Sequence, residues 1–349
     1  MVQLEITQDV EDLAKEYRKS LRGKKSAEDV KTRLRAILAT IPRGAALMQR
    51  PPYRGGMPIP IAYNDIRDYI NRVIKRYDGL LLMHPRGFNR EIQRFEKIIS
   101  KNQINWKLEY SGTVHESLAE MIIKALDYDL VRKEIYPNIA RTLNIKSCVY
   151  CNANYAITDE EGRGYYELDH WKPKSKYPYL STSFYNLQVS CPSCNRRKSS
   201  NDEKKFFRLW AEKGQVNRKA FKFFISHENI ALYWIKRDPK VINLELKPEK
   251  LRNQKMLEDS EKALHISSKY KELNDEAEEV LWKAKAYNRC FYESLIGGLP
   301  KLMMSESDRK RFILGTYSNL EDVHKRPLTL MKQDVARCAG LELELKSRR

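Results

Sequence analysis

Four of the six cysteines stand in two C-x-x-C pairs, Cys148-Val-Tyr-Cys151 and Cys191-Pro-Ser-Cys194, with 39 residues between them. A C-x-x-C turn points two thiolates at one metal, and two such turns complete a tetrahedral zinc site. A redox dithiol needs only one pair and leaves the other unexplained. A disulfide framework does not suit a chain kept in a reducing compartment. The expectation is therefore a structural Zn²⁺ on Cys148, Cys151, Cys191 and Cys194. Cys290 and Cys338 lie singly in helical patterns and read as small buried hydrophobes.

Between the two pairs runs Glu167-Leu168-Asp169-His170-Trp171-Lys172-Pro173-Lys174-Ser175, then Tyr185-Asn186-Leu187-Gln188, and Asn195-Arg196-Arg197-Lys198 follows the last cysteine. Phosphodiester hydrolysis needs a base to take a proton from water, a divalent cation to neutralise developing charge, and basic groups to hold the backbone. Asp169 and His170 are adjacent at the end of a strand, where alternation sends their side chains apart, so one can face a metal and the other the water. Asn186 offers an amide oxygen to an imidazole N–H and would fix its tautomer. Asn195, opening a helix, offers a second oxygen to the cation. So few oxygen ligands suit Mg²⁺ or Mn²⁺. Lys172, Lys174, Lys176, Arg196, Arg197 and Lys198 read as a clamp on the nucleic-acid backbone, with solvated surface as the plain alternative. Trp171 either stacks on a base or wedges the loop into the core.

The elements that must hold these residues are mostly helical. Val10, Leu13, Ala14, Tyr17 and Leu21 recur at helical spacing up to Gly23. Val30, Leu34, Ile37, Leu38 and Ile41 follow, with Ser26 as N-cap. Residues 42–60 hold five prolines and three glycines and read as a loop without regular structure. Helices are expected from Asn64, with Ile66, Ile70, Val73, Ile74 and Tyr77 inward, then over 88–100 and over 114–136, stopping near Pro137. Residues 154–159 and 165–168 read as a β-hairpin around Glu160–Gly164. After 206 a strand pair near 229–246 precedes one long helix lined by Tyr270, Leu273, Ala277, Val280, Ala284, Tyr287 and Phe291, ended at Gly297–Pro300.

At this point the spacing resembles a known family. C-x-x-C, a strand ending in D-H, a central N-L and C-x-x-C-N-x-x-K together resemble the HNH (ββα-metal) nucleases in their zinc-stapled form. That resemblance implies His170 as general base, Asp169 and Asn195 as ligands of the catalytic Mg²⁺ or Mn²⁺, Asn186 as the orienting middle asparagine, and the four cysteines on structural zinc. One position departs from the pattern: Asn195 stands where the family usually has histidine, so the motif reads H-N-N, with an amide in place of a stronger imidazole ligand. The longer string from Glu167 to Lys198, together with Arg326–Asp334, is similar to the HNH subunits of prokaryotic anti-phage systems, the Septu and retron-associated proteins. This implies an ATPase partner subunit encoded elsewhere.

The fold class expected is mainly α with a small inserted α+β unit. It divides into a helical region 1–145 that docks a partner or DNA, a zinc-stapled ββα-metal core at 146–205 held by the four cysteines, and a mostly helical region 206–349. Over 349 residues, 65 Lys and Arg against 46 Asp and Glu give a net charge of +19, spread over both flanks. Such a field draws in nucleic acid or an acidic partner. At 42% hydrophobic and 32% charged the chain is not disordered or fibrous. No run approaches about 18 apolar residues, so no membrane span is expected. The start has no apolar signal core, so a cytoplasmic location is the expectation. No G-x-x-x-x-G-K-[ST] loop occurs, so this is not an ATPase of that kind. The leading reading is a DNA endonuclease, a phosphodiester hydrolase. An RNA-cleaving (tRNA) nuclease and a non-catalytic zinc module that binds nucleic acid remain as alternatives.

Overall fold

A computed structural model describes the chain except for residues 25–26, 52–56, 202–203, 215–218, 288–290, 292–293, 295–304 and 342–349. The expected Ser26 cap, Cys290 and the Gly297–Pro300 stop lie outside the described residues. A short strand β1 (Leu4–Glu5) leads into α1 (Gln8–Lys24) and α2 (Ala27–Thr40). The apolar spacing that marks these helices does bury Leu13, Ala14, Tyr17 and Leu21 on the first and Val30, Leu34 and Ile37 on the second.

Residues 42–60 correct the expectation of an irregular loop. Strands β2 (Leu47–Arg50) and β3 (Ile59–Ile61) pair antiparallel, and Met48 faces Pro60 across the ladder. Proline is tolerated there because β3 is an edge strand, where a missing N–H costs no ladder bond. The sheet order is β3-β2-β4-β5, completed by β4 (Lys107–Tyr110) and β5 (Thr113–Ser117). Helices α3 (Tyr63–Leu81) and α4 (Pro85–Glu96) lie between β3 and β4 in sequence. The expected helix over 114–136 therefore begins late. Ser117 caps α5 (Leu118–Ala125) in a capping box with Glu120.

The next helix carries an irregularity that matters for the site. α6 (Tyr128–Leu130) runs through a π turn at Val131–Ile135 into α7 (Tyr136–Thr142). Pro137 does not stop this helix. Having no N–H to give to a carbonyl four residues back, it forces the turn before it to widen, and Tyr136 N–H reaches Val131 O instead.

The central segment is a pair of antiparallel strands and a helix. β6 (Glu167–His170) pairs with β7 (Leu187–Ser190), with Asp169 opposite Gln188, and α8 (Pro192–Lys198) follows. The expected hairpin at 154–168 is reduced to single bridges, Ser147 with Tyr155 and Thr158 with Gly164. The partner of the strand that ends in Asp169-His170 is distant β7. Between β6 and β7, the loop over 171–184 folds through a 3₁₀ turn at Pro178–Leu180 that packs on α3 and α5.

Beyond α8 the strand β8 (Trp210–Ala211) runs parallel to β1, tying the start of the chain to the far side of the central segment. β9 (Phe221–Phe224) pairs with β10 (Glu245–Pro248), and α9 (His227–Lys236) lies between them where a strand pair was expected. Ser226 starts that helix by accepting from Asn229 N–H. α10 (Gln254–Leu264) packs on α8. The expected single long helix is two, α11 (Ile266–Lys271) and α12 (Asn274–Ala286). Asn274, Asp275 and Glu276 favour a fresh helix start over a continued one. α13 (Glu306–Leu314) and α14 (Thr329–Cys338) close the described fold. Cys338 is part-exposed on the last turn, not buried as its pattern suggested. One apolar core runs through these elements, from Met1 to Leu341. No helix among the described residues is long and apolar enough to cross a membrane.

Candidate active site

The four cysteines converge. Cys148, Cys151, Cys191 and Cys194 are all buried, and their sulfurs lie within 4.8 Å of one another. A tetrahedral zinc with bonds of about 2.3 Å sets its sulfurs about 3.8 Å apart, so this donor set fits that ion. The neighbouring thiols, Cys148 first and then Cys151 and Cys194, draw the Cys191 thiol toward the thiolate. Lys269 of α11 donates to Cys194 Sγ at 3.4 Å, and Tyr270 O–H donates to Cys151 O at 2.7 Å. The first knuckle turns at Asn152, whose φ of +53° an asparagine tolerates. Its amide ties the knuckle to the Arg326–Asp334 segment. Nδ2 donates to Ser147 Oγ, Val323 O and Arg326 O, and Oδ1 accepts from Leu330 N–H.

On β6, Asp169 and His170 are both buried and both line a cleft of about 630 Å³. Asn195 and Arg196 from α8 line the same cleft, as do Lys174 from the loop and Tyr128, Asp129 and Arg132 from the helix that carries the π turn. The Asp169 carboxylate accepts from the Tyr150 hydroxyl and sits 3.1 Å from Lys198 Nζ. Burial pushes its carboxyl above the ordinary value, against the pull of the Lys198 ammonium. Burial also drives the Tyr150 phenol far up, so it stays protonated and donates.

His170 Nε2 lies 2.9 Å from Ser181 O. A carbonyl only accepts, so Nε2 carries the proton and Nδ1 is left as the basic nitrogen. Burial first, then the nearby Lys174 ammonium, pull the imidazole down to about 3, so it is neutral at physiological pH. Tyr128 packs its ring 4.8 Å from the imidazole and donates its O–H to Leu168 O at 2.8 Å.

Two sequence expectations are corrected. Asn186 does not bond the imidazole, whose partner is Ser181 O. Its side chain is buried and closes the loop that presents Ser181 and Lys174: Oδ1 accepts from Lys172 N–H at 2.7 Å, and Nδ2 donates to Lys172 O and Leu180 O, each at 3.0 Å. Lys198 is not a surface clamp. Its side chain is 1% exposed, and Nζ donates to His170 O at 2.6 Å as well as pairing with Asp169. An ammonium so placed reaches no phosphate outside.

The other basic residues divide. Lys174 and Arg196 line the cleft, whereas Lys172, Lys176 and Arg197 do not. Lys174 sets its Nζ 3.8 Å above the Tyr128 ring, and burial, with Arg132 beside it, draws its ammonium down. Lys172 lies over Trp171, 4.8 Å from the ring centre, while Arg208 covers the same ring at 5.1 Å and Phe88 stacks on it. Trp171 is thus packed into the loop. Sequence reasoning did not find Tyr128, Arg132, Tyr150 or Ser181. Only Tyr150 carried a signal, its place inside the first C-x-x-C. The others reach the cleft through tertiary packing alone.

Residues 148–201 match the HNH endonuclease family. Across 58 residues the chain is 43% identical to the Septu protein PtuB of Bacillus thuringiensis, a stretch that covers 17% of this chain and 21% of that relative. The matched stretch thus spans about a fifth of the relative's own length. No solved structure matches the chain. Residues 148–201 are an HNH endonuclease domain, set between the helical segments on either side.

Proposed function

We propose that this chain is a metal-dependent endonuclease that hydrolyses phosphodiester bonds of DNA. The observation that carries the reading is the meeting of Asp169, His170 and Asn195 in one cleft, with Lys174 and Arg196 on its walls. Asp169 and Asn195 both line that space and would offer a carboxylate and an amide oxygen, a hard donor set of the kind Mg²⁺ or Mn²⁺ takes. When bound, such an ion supplies charge neutralisation at the phosphate and the leaving oxygen. His170, neutral and with Nδ1 free, takes the proton of the attacking water. Ser181 O holds the tautomer that makes this possible. Tyr150 and Lys198 fix the Asp169 carboxylate, and Asn186 fixes the loop. The four cysteines, on a structural zinc, hold α8 and hence Asn195 against β6. This amounts to a ββα-metal core whose strands are β6 and β7 and whose helix is α8. The surplus of positive charge on the chain draws the polyanion in.

The likeness to a Septu protein supports a role in anti-phage defence, in which an ATPase subunit from a second chain joins the nuclease. A pull-down of the tagged protein from its host that recovers no ATPase would count against this partnership. The chemistry is tested by nicking of supercoiled plasmid, with tRNA as a parallel substrate, in Mg²⁺ or Mn²⁺. The expected result is cleavage of DNA by the wild type and a loss of about 10²–10⁴-fold in His170→Ala, at unchanged zinc content. Equal rates for the two proteins would leave only a zinc-stapled nucleic-acid binder. Preferred cleavage of tRNA would move the substrate to RNA.

A further inference from the structure

We propose that Arg132, supplied by a helix outside the matched domain, forms with Lys174 a seat for one backbone phosphate of the bound nucleic acid. The inference rests on the nuclease reading above and adds a binding group to it. Three observations point to the seat. The first is placement: Arg132 lines the cleft, yet it precedes the HNH match by sixteen residues. It stands in the π turn Val131–Ile135, where four residues make nearly a full turn, so it shares a face with Tyr128. Tyr128 bolts that face to the site, through its bond to Leu168 O and its ring against His170. The face that touches the imidazole therefore also carries Arg132 over the cleft.

The second observation is charge. Lys174 makes no ion pair among the described residues. Its Nζ rests on the Tyr128 ring at 3.8 Å, with Arg132 as the neighbouring cation and the carboxylates of Asp129 and Glu167 facing it without a direct pair. A phosphate bound between Arg132 and Lys174 would take the place that the Asp129 carboxylate holds beside them. The third is what holds Arg132 now. Its only ion pair among the described residues is with Asp129 at 3.5 Å, and both side chains are open to solvent at 42% and 71%. Exposed pairs of this kind are worth little and are screened by salt, so a phosphate can displace the carboxylate. A guanidinium offers paired N–H donors that match phosphate oxygens, and a half-buried ammonium adds a point charge. Both groups stand on the same cleft as Asp169 and Asn195, so the phosphate they hold lies near the cleaved bond.

The test uses the full chain with Arg132→Gln, Arg132→Lys and Lys174→Gln. On plasmid, Arg132→Gln is expected to lower kcat/KM by about 10-fold or more with KM raised, and Arg132→Lys to recover part of it. In a His170→Ala background, binding of a duplex of about 20 base pairs is measured across salt. Each lost cation should reduce the slope of log K against log salt by about one. Zinc content should not change. If Arg132→Gln cleaves within about twofold of wild type, or slows cleavage while leaving the salt slope intact, the seat is overturned. A wild type that cleaves nothing would defeat the nuclease reading, and the binding arm would still decide whether Arg132 and Lys174 hold a phosphate.

Discussion

Asp169 shows how a single side chain can be legible in a sequence while its surroundings are not. Its place before His170 and between two cysteine knuckles marks it out, but nothing local shows that Lys198, 29 residues later, is its buried counter-ion. A lysine two turns into an Arg-rich helix reads as surface. It is buried because α8 lies on β6 and brings that position inward. The pair has a testable consequence. Removing one partner of a buried pair leaves the other charge uncompensated, at a cost of about 3–5 kcal/mol. Lys198→Met should therefore lower stability by about that much, read as a drop in the denaturant midpoint. Adding Asp169→Asn should restore much of the loss, because the stranded carboxylate is gone. A double mutant no more stable than Lys198→Met would show that the lysine acts by packing alone. Asn186 teaches the same lesson, since its type and position were readable but its partners, Lys172 and Leu180, depend on how the loop closes.

At the scale of elements, the helices with clean 3.6-residue patterns were readable, as α1, α2 and α3 show. The strands of the four-stranded sheet were not. β2 and β3 sit among prolines and glycines, and Pro60 survives in a ladder only because it is at an edge. The two strands of the site are four residues each and 16 residues apart, too far for a turn signal to link them. Metal chemistry supplies what propensity does not. Cys148 and Cys151 precede β6, Cys191 and Cys194 flank the start of α8, and one ion across the four sulfurs would fix the helix relative to the strands. Metal analysis is expected to find one zinc per chain. Chelation should lower the melting temperature and abolish cleavage, and added Mg²⁺ alone should not restore it. In small zinc domains the ion contributes about 10–16 kcal/mol of apparent folding energy, so the effect should be large. A chelated protein that melts and cleaves as before would mean the cysteines hold no structural ion.

Across the whole molecule, distant segments meet beside the first knuckle, and His324 is where they are tied. Its ring is 2% exposed, Nε2 donates to Val2 O at 2.6 Å, and its own carbonyl accepts from Lys146 N–H. Burial pulls the imidazole down to about 3, well below its ordinary 6.5. The folded chain therefore keeps His324 neutral while the unfolded chain binds a proton below about pH 6.5. Stability from this group is fully present above the unfolded value and is lost as the pH falls toward the folded one. The loss grows by roughly 1 kcal/mol for each pH unit below about 6.5. His170, drawn down in the same direction, adds a loss of the same sign. His324→Gln removes the titration but keeps an N–H for Val2 O. It should be less stable than wild type at neutral pH, yet lose less on acidification, so that the two denaturant midpoints approach each other between about pH 7 and pH 5. Parallel curves over that range would show that acid sensitivity enters elsewhere and that the His324 contact is not a proton-linked tie.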